Sequence, residues 1–226
     1  MKSVKVTTRW YDDACGTAHA LELVGERWAL LVMRELMFGG RRFADLRRGL
    51  PGISANVLAQ RLQALAAAGV VARHTLAPPA SVQVYELTPW GYEAETFVQS
   101  LGRWAARSPG HDPSLPLSAA SLMMSFRTMF ASERAGDARL SLAFRPGRDR
   151  FAARVEDGAL TIGRGDPDAP DAVVAAAPEV VAGIVYGGRP VDDAIASGEL
   201  SVEGDVELFA RFARLFALPP KAVVNA

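Results

Sequence analysis

A single cysteine, Cys15, stands in the 226-residue chain, which leaves no intrachain disulfide framework and no multi-cysteine zinc module. Histidines number three, and a Cys15–His19 pair would supply only two of the four ligands a structural metal site takes. No metal is therefore expected. Unbroken apolar runs of roughly 20 residues, the length that crosses a bilayer, are missing. The stretch Met1–Trp10 also lacks the apolar centre of a signal peptide. These absences lead to the expectation of a soluble, cytoplasmic protein with no membrane partner. Catalytic signatures are missing too: no phosphate loop, no Gly-x-Ser-x-Gly and no His-Glu-x-x-His. Gly163-Arg164-Gly165 is too short for a nucleotide fingerprint, and Asp192 and Asp193, being adjacent, point to different helical faces. Neither enzymatic activity nor a cofactor is expected.

What is present is a globular mixture, 50% apolar and 22% charged, with a formal net charge of zero. That zero hides a division. Residues 1–108 carry 13 basic against 9 acidic side chains, and residues 109–226 carry 12 against 16. A modestly basic first half suits a polyanion better than an acidic second half does. The sign changes at Ser108-Pro109-Gly110-His111-Asp112-Pro113-Ser114-Leu115-Pro116, where three prolines stop any helix or central strand. We expect two domains, residues 1–108 and 118–226, joined by a linker at 109–117.

In the first half, apolar spacing predicts one helix from Thr17 to Phe38, stopped by Gly39-Gly40, and a short one from Arg42 to Leu50. Ser54 is a plausible N-cap for Ala55–Ala68, and Gly69 sits where a helix end needs a left-handed residue. Two strand-like runs follow, Val70–Leu76 and Val82–Leu87, turning at Ala77-Pro78-Pro79-Ala80-Ser81. Thr88-Pro89 opens a helix, Trp90–Arg107, with Tyr92, Phe97, Leu101 and Trp104 expected to face inward.

Two short helices joined by a tight turn form a helix-turn-helix, whose second helix enters a major groove, and a hairpin after it can act as a wing. The second helix carries Asn56, Gln60, Arg61 and Gln63, side chains suited to base edges. Arg41, Arg42, Arg47 and Arg48 lie just before it, where phosphate contacts would set the register. Ser54 and Val57 at the start of that helix complete the candidate DNA-contacting set.

At this point the chain resembles the HxlR-type winged-helix transcriptional regulators over roughly residues 12–107. The matching elements are Cys15, Ala20-Leu21-Glu22-Leu23-Val24-Gly25-Glu26-Arg27-Trp28, Arg34-Glu35-Leu36, and Arg41-Arg42-Phe43-Ala44-Asp45-Leu46. Further on come Leu50-Pro51-Gly52-Ile53-Ser54-Ala55-Asn56-Val57-Leu58-Ala59-Gln60-Arg61-Leu62 and Tyr85-Glu86-Leu87-Thr88-Pro89-Trp90-Gly91. The resemblance implies a homodimer on operator DNA, with the first and last helices forming the seam. Asn56 stands where the family often has a basic residue, and Gly16 where it often has proline. The wing tip has no Lys or Arg, so Arg73 and His74 at its base are the nearest substitutes. Some members of the family sense oxidants through a cysteine at the place of Cys15, and a helix N-terminus there would favour thiolate.

The second half reads as a helix over Ser118–Ala131, then strands Ala138–Phe144, Arg150–Val155, Ala159–Ile162 and Ala172–Ala176. Helices from Pro178 and Pro190, a strand Leu200–Val202 and a last helix Asp205–Phe216 complete an α+β domain with an antiparallel sheet. Gly198-Glu199-Leu200-Ser201-Val202-Glu203-Gly204-Asp205 and the apolar helix after it resemble a sterol-carrier-protein-like domain, over about residues 117–218. This implies an apolar cavity, with Leu122, Phe126, Met129, Phe130, Phe209, Phe212 and Phe216 as candidate walls. The combined expectation is a homodimeric regulator of double-stranded DNA, controlled by a small apolar ligand. Its rivals are a lipid or small-molecule carrier or assembly module with constitutive DNA binding, and a redox regulator acting through Cys15.

Overall fold

The computed structural model describes residues 11–77 and 79–223. Met1–Trp10, the segment expected to lack a signal peptide, and Pro78 of the wing turn lie outside them. The chain forms two compact units, dividing between Ala94 and Glu95.

The first unit runs α1 (Gly16–Val24), α2 (Ala29–Leu36), α3 (Phe43–Gly49), α4 (Ala55–Ala67), β1 (Val71–Thr75), β2 (Gln83–Leu87) and α5 (Pro89–Glu93). The single helix expected over Thr17–Phe38 is two. Helix α1 ends at Val24, and Trp28, the N-cap of α2, takes φ 79°, a left-handed backbone that a continuous helix does not contain. Elsewhere local chemistry sets the boundaries as expected. Ser54 Oγ accepts the Val57 N–H at 3.2 Å, and Thr88 Oγ1 accepts that of Gly91 at 3.0 Å. Gly69, at φ 75°, turns the chain out of α4 and lets Val70 donate back to the Leu65 carbonyl at 2.9 Å. Strands β1 and β2 pair antiparallel from Val71–Leu87 to Thr75–Gln83.

The core of this unit gathers Val32, Met33, Leu36, Leu46, Leu58, Leu62 and Leu65. Inside it lies a carboxylate. Glu35 is fully buried, 2.9 Å from Arg34 Nη2 and 3.3 Å from Arg41 Nη1. Arg41 is also bridged to β2 by its backbone, giving and taking 2.8 Å bonds with Tyr85. A Cβ on Gly49 would collide with the Glu35 carboxylate, so the end of α3 closes over the pair.

The second unit opens with α6 (Glu95–Ala106) and continues with α7 (Ala119–Met129), α8 (Ser132–Ala135), β3 (Leu140–Phe144), β4 (Phe151–Glu156), β5 (Ala159–Arg164) and β6 (Ala172–Ala176). It closes with α9 (Pro178–Gly187), α10 (Val191–Ala196), β7 (Leu200–Gly204) and α11 (Val206–Ala213). The sheet order is β5-β4-β3-β6-β7, antiparallel except for the β3–β6 pair. This is the expected α+β architecture; the short α8 was not foreseen. Ser118 caps α7 through the Ser121 N–H, and Asp205 caps α11 through those of Glu207 and Leu208.

The helix expected over Trp90–Arg107 is broken at Ala94 into α5 and α6, and α6 is fastened to the second unit. Arg127 Nη1 of α7 lies 2.7 Å from Glu95 Oε1, and its other nitrogen donates to the Ile162 carbonyl of β5. Arg103 donates to the Thr128 carbonyl. At the far end Lys221 Nζ lies 3.1 Å from the Ala106 carbonyl and 3.0 Å from that of Ser108, while Ala222 N donates to Arg107 O at 2.7 Å. The compact division thus precedes the proline-rich segment 109–117, because α6 finds its partners after that segment.

Removing one partner of a buried ion pair leaves the other charge uncompensated, at a cost of about 3–5 kcal/mol. Glu35→Ala should destabilise the first unit by that order in urea unfolding. Arg48→Ala, which breaks an exposed pair with Asp45, should cost less than about 1 kcal/mol. Equal effects from the two substitutions would contradict the central place given to Glu35.

Candidate nucleic-acid interface

Helix α4 has two faces. Leu58, Leu62 and Leu65 are buried, and Asn56, Gln60 and Gln63 point to solvent on the opposite side. Leucine at 58, 62 and 65 recurs at helical spacing, so burial of that stripe leaves the amide stripe outward. Ser54 is exposed and occupied as acceptor by Val57 N–H, keeping its own O–H to donate. Val57 is half-buried beside the first turn. Arg61, expected on the reading face, is turned aside: it is 18% exposed, with Nη1 3.3 Å from Glu26 Oε2.

The four arginines before α4 separate by environment. Arg42 and Arg47 are exposed and make no ion pair among the described residues. Arg48 is exposed but pairs with Asp45 at 2.9 Å. Arg41 is 8% exposed and bound to Glu35, so it is a core residue, which corrects its expected place among phosphate contacts. In the hairpin, Arg73 donates to Gln83 Oε1 and stacks over the Tyr85 ring at 5.9 Å, while His74 Nε2 lies 3.4 Å from Glu86 Oε2. Both remain exposed, so the basic side chains of the wing are already engaged by the strand beside them.

Two surfaces carry apolar side chains outward. Helix α1 has no buried residue, and its Leu21 is 48% exposed. On α6, Phe97, Leu101 and Trp104 are exposed at i, i+4 and i+7, which overturns their expected inward position. Periodicity correctly gave one apolar stripe, but the described residues do not cover it.

Cys15 is the exposed N-cap of α1. Its thiol lies below the ordinary thiol range, because the backbone N–H groups of Ala18 and then Thr17, with the Thr17 hydroxyl, stabilise the thiolate.

In the second unit, Leu122, Phe126, Met129, Phe209, Phe212 and Phe216 are all buried. The rings pack on one another: Phe126–Phe216 at 4.7 Å, Phe212–Phe216 at 4.9 Å and Phe126–Phe212 at 5.5 Å between centroids. Phe130 is half-buried at their edge, 6.0 Å from Phe216. The residues expected to wall a cavity therefore fill the space between sheet and helices. Three members were missed: Phe144, Tyr186 and Ser125. The Tyr186 hydroxyl lies 2.9 Å from Ser125 Oγ, and burial pushes its ionisation well above the usual phenol range. An open groove of about 470 Å³ lies instead against β3, β4 and β5, lined by Ser141, Ala152, Arg154, Thr161 and Gly163 and by the loop 166–169. The alternation in β4, with Phe151, Ala153 and Val155 buried, is the sequence signal that could have marked Ala152 and Arg154 as facing away from the core.

A helix-turn-helix followed by a two-stranded wing defines a winged-helix regulator. Residues 23–112 match the HxlR-like helix-turn-helix family, and residues 117–222 match the alkyl sulfatase C-terminal family. The HTH-type transcriptional regulator YtfH of Escherichia coli K12 is 38% identical over 96 residues, 42% of this chain and 75% of YtfH. The HTH-type transcriptional regulator YodB of Bacillus subtilis is 34% identical over 86 residues, 38% of this chain and 77% of YodB. Through its first half, the chain belongs to the HxlR-like helix-turn-helix family of transcriptional regulators. The second half is similar to a segment of the sec-alkylsulfatase Pisa1 of Pseudomonas sp., at 18% identity and a TM-score of 0.41, over 45% of this chain and 17% of that one. The family match over residues 117–222 makes the second half alkyl sulfatase C-terminal-like. Among the described residues no helix is long and apolar enough to cross a membrane.

Thiolate, the reactive form, accumulates above the thiol's pKa, so a lowered pKa moves reactivity to lower pH. The rate of alkylation by iodoacetamide should rise with pH through a midpoint below that of a free cysteine peptide. Thr17→Val should move the midpoint up. With one cysteine in the chain the readout has a single source; a midpoint equal to that of the free peptide would remove the helix-terminus effect.

Proposed function

We propose that the protein is a homodimeric transcriptional regulator that reads double-stranded operator DNA through α4 and is controlled through its second half. The observation that carries the DNA reading is the outward amide face of α4, flanked by the exposed Arg42 and Arg47. The arginines and the Ser54 hydroxyl would hold phosphates while α4 meets base edges, with half-sites about 34–36 Å apart. Residues 1–108 act as the DNA-binding and dimerisation module, 109–117 as linker and 118–226 as the controlling domain. Arg73 and His74 would contact the backbone by exchanging their hairpin partners for phosphate.

Dimerisation is supported by the uncovered apolar residues of α1 and α6, which a partner chain would bury. Control is supported by the position of α6. It lies within the segment that matches the HxlR-like family, yet Arg127, Arg103 and Lys221 fasten it to the second unit. A ligand that favours one arrangement of that unit would bias the α6 surface and so the spacing of the two recognition helices. We read the second half as sterol-carrier-like in this sense, with a small apolar ligand seated by the Tyr186–Ser125 hydroxyl pair, the polar point of an aromatic core. Entry then requires packed rings to part. A second reading places the signal at Cys15, favoured by its exposure and its stabilised thiolate.

Fluorescence anisotropy with the protein's own promoter fragment tests the DNA reading. Replacing Arg42 and Arg47 together by alanine removes two arginines from each protomer, and should weaken binding across all sequences and lower the salt slope of log Kd for the dimer by about four. An unchanged slope would remove both residues from the interface.

Native mass spectrometry tests the rest. The purified protein should run as a dimer carrying an added small mass, and Leu101→Asp should convert it to monomer and weaken DNA binding at least about tenfold. A Leu101→Asp protein that stays dimeric would take α6 out of the seam.

A further inference from the structure

The DNA-binding reading leaves open which bases the protein selects, and the outward face of α4 bears on this. Helix α4 holds a single charged residue, Arg61, and that residue is 18% exposed and directed at Glu26. The solvent face carries Asn56, Ala59, Gln60 and Gln63, spaced i, i+3, i+4 and i+7, with Ala55 exposed at the helix start and the exposed Ala64, Ala66 and Ala67 toward its end. This is a surface of carboxamides and methyl groups.

Resting on that DNA-binding reading, we propose that this face selects A·T pairs in the major groove, with Asn56 and Gln60 as the specificity-determining residues. The chemistry follows from donor and acceptor patterns. Adenine presents N7 as acceptor and the N6 amino group as donor, and a carboxamide matches both, its NH₂ donating to N7 and its oxygen accepting from N6. Guanine presents two acceptors, N7 and O6, which call for a fork of two donors such as a guanidinium. The one guanidinium of α4 is held along the protein surface by Glu26 Oε2 at 3.3 Å. Thymine adds a C5 methyl, which Ala55 and Ala59 can meet by apolar contact without blocking the longer amides. Asn56 and Gln60 lie in the first two turns after Ser54, the part of a recognition helix that reaches base edges. Arg42 and Arg47 lie outside α4 and serve phosphates, so they add affinity without base preference.

The test is selection of duplexes from a random library by the full chain, followed by binding to the selected duplex with single N7 atoms removed. Half-sites enriched in consecutive A·T pairs are expected. 7-Deazaadenine at a contacted position should weaken binding by about tenfold, and 7-deazaguanine anywhere in the site should change it less than about twofold. Gln60→Ala should erase selection at one position of each half-site while leaving the salt slope unchanged. Because Gln60 is exposed, its thermal unfolding serves as a check that the variant is folded. Enrichment of guanine at contacted positions, with binding lost in 7-deazaguanine and in Arg61→Ala, overturns the proposal, since Arg61 would then have left Glu26 to read the base. Uniform enrichment with measurable, salt-sensitive binding also overturns it while sparing the DNA reading. Absence of binding at low salt overturns the DNA reading itself.

Discussion

The buried Glu35 carboxylate is the constraint on which the first unit depends. A charge with no exposure needs partners, and it takes them from two directions: Arg34 on its own helix and Arg41 on the segment before α3. Arg41 is at the same time hydrogen-bonded through its backbone to Tyr85 in β2. One residue, through its side chain and its backbone, therefore ties the helix core to the chain that leads into the helix-turn-helix and to the hairpin behind it. Closure of Gly49 over the carboxylate fixes the end of α3 as well. The orientation of α3, and so of the exposed Arg42 and Arg47 beside the recognition helix, follows from a charge that solvent does not reach.

What could be read in the sequence was what local interactions decide. Ser54, Thr88, Ser118 and Asp205 cap the helices they were expected to, or begin them, because an N-cap bond spans two or three residues. The strand 172–176 was read to the residue, since apolar composition and the flanking turn signals agree there. Interactions between distant residues were illegible. Arg41 and Arg61 look like any surface arginine until Glu35 and Glu26 are brought to them. The break at Trp28 is a backbone choice that periodicity does not register, as the apolar spacing continues through it. On α6 the stripe of Phe97, Leu101 and Trp104 was seen, but spacing alone does not say whether a stripe is covered by its own chain or by another. In the second half, an aromatic run that reads equally as cavity wall or as packing resolves to packing, with ring centroids 4.7–5.5 Å apart.

The two halves answer to different physics. The first exposes the amides of α4 and, in Arg42 and Arg47, cations that make no ion pair among the described residues, a surface suited to a polyanion. The second buries its aromatic side chains around one pair of hydroxyls and turns small residues outward on its sheet. Its family match, over residues 117–222, is to the alkyl sulfatase C-terminal family. Helix α6 belongs to both accounts, being regulator by sequence and second unit by contact.

The fastening of α6 also has an order in time. Lys221 reaches the Ala106 carbonyl across 115 residues of chain, and a bond between such distant partners forms only after everything between them has been made. Synthesis proceeds from the N-terminus, and domains fold as they emerge. The recognition helix is therefore in place on the ribosome well before α6 receives its last restraint. Under the dimer reading, a nascent chain holds a formed helix-turn-helix while its α6 surface still lacks the restraint that Lys221 supplies.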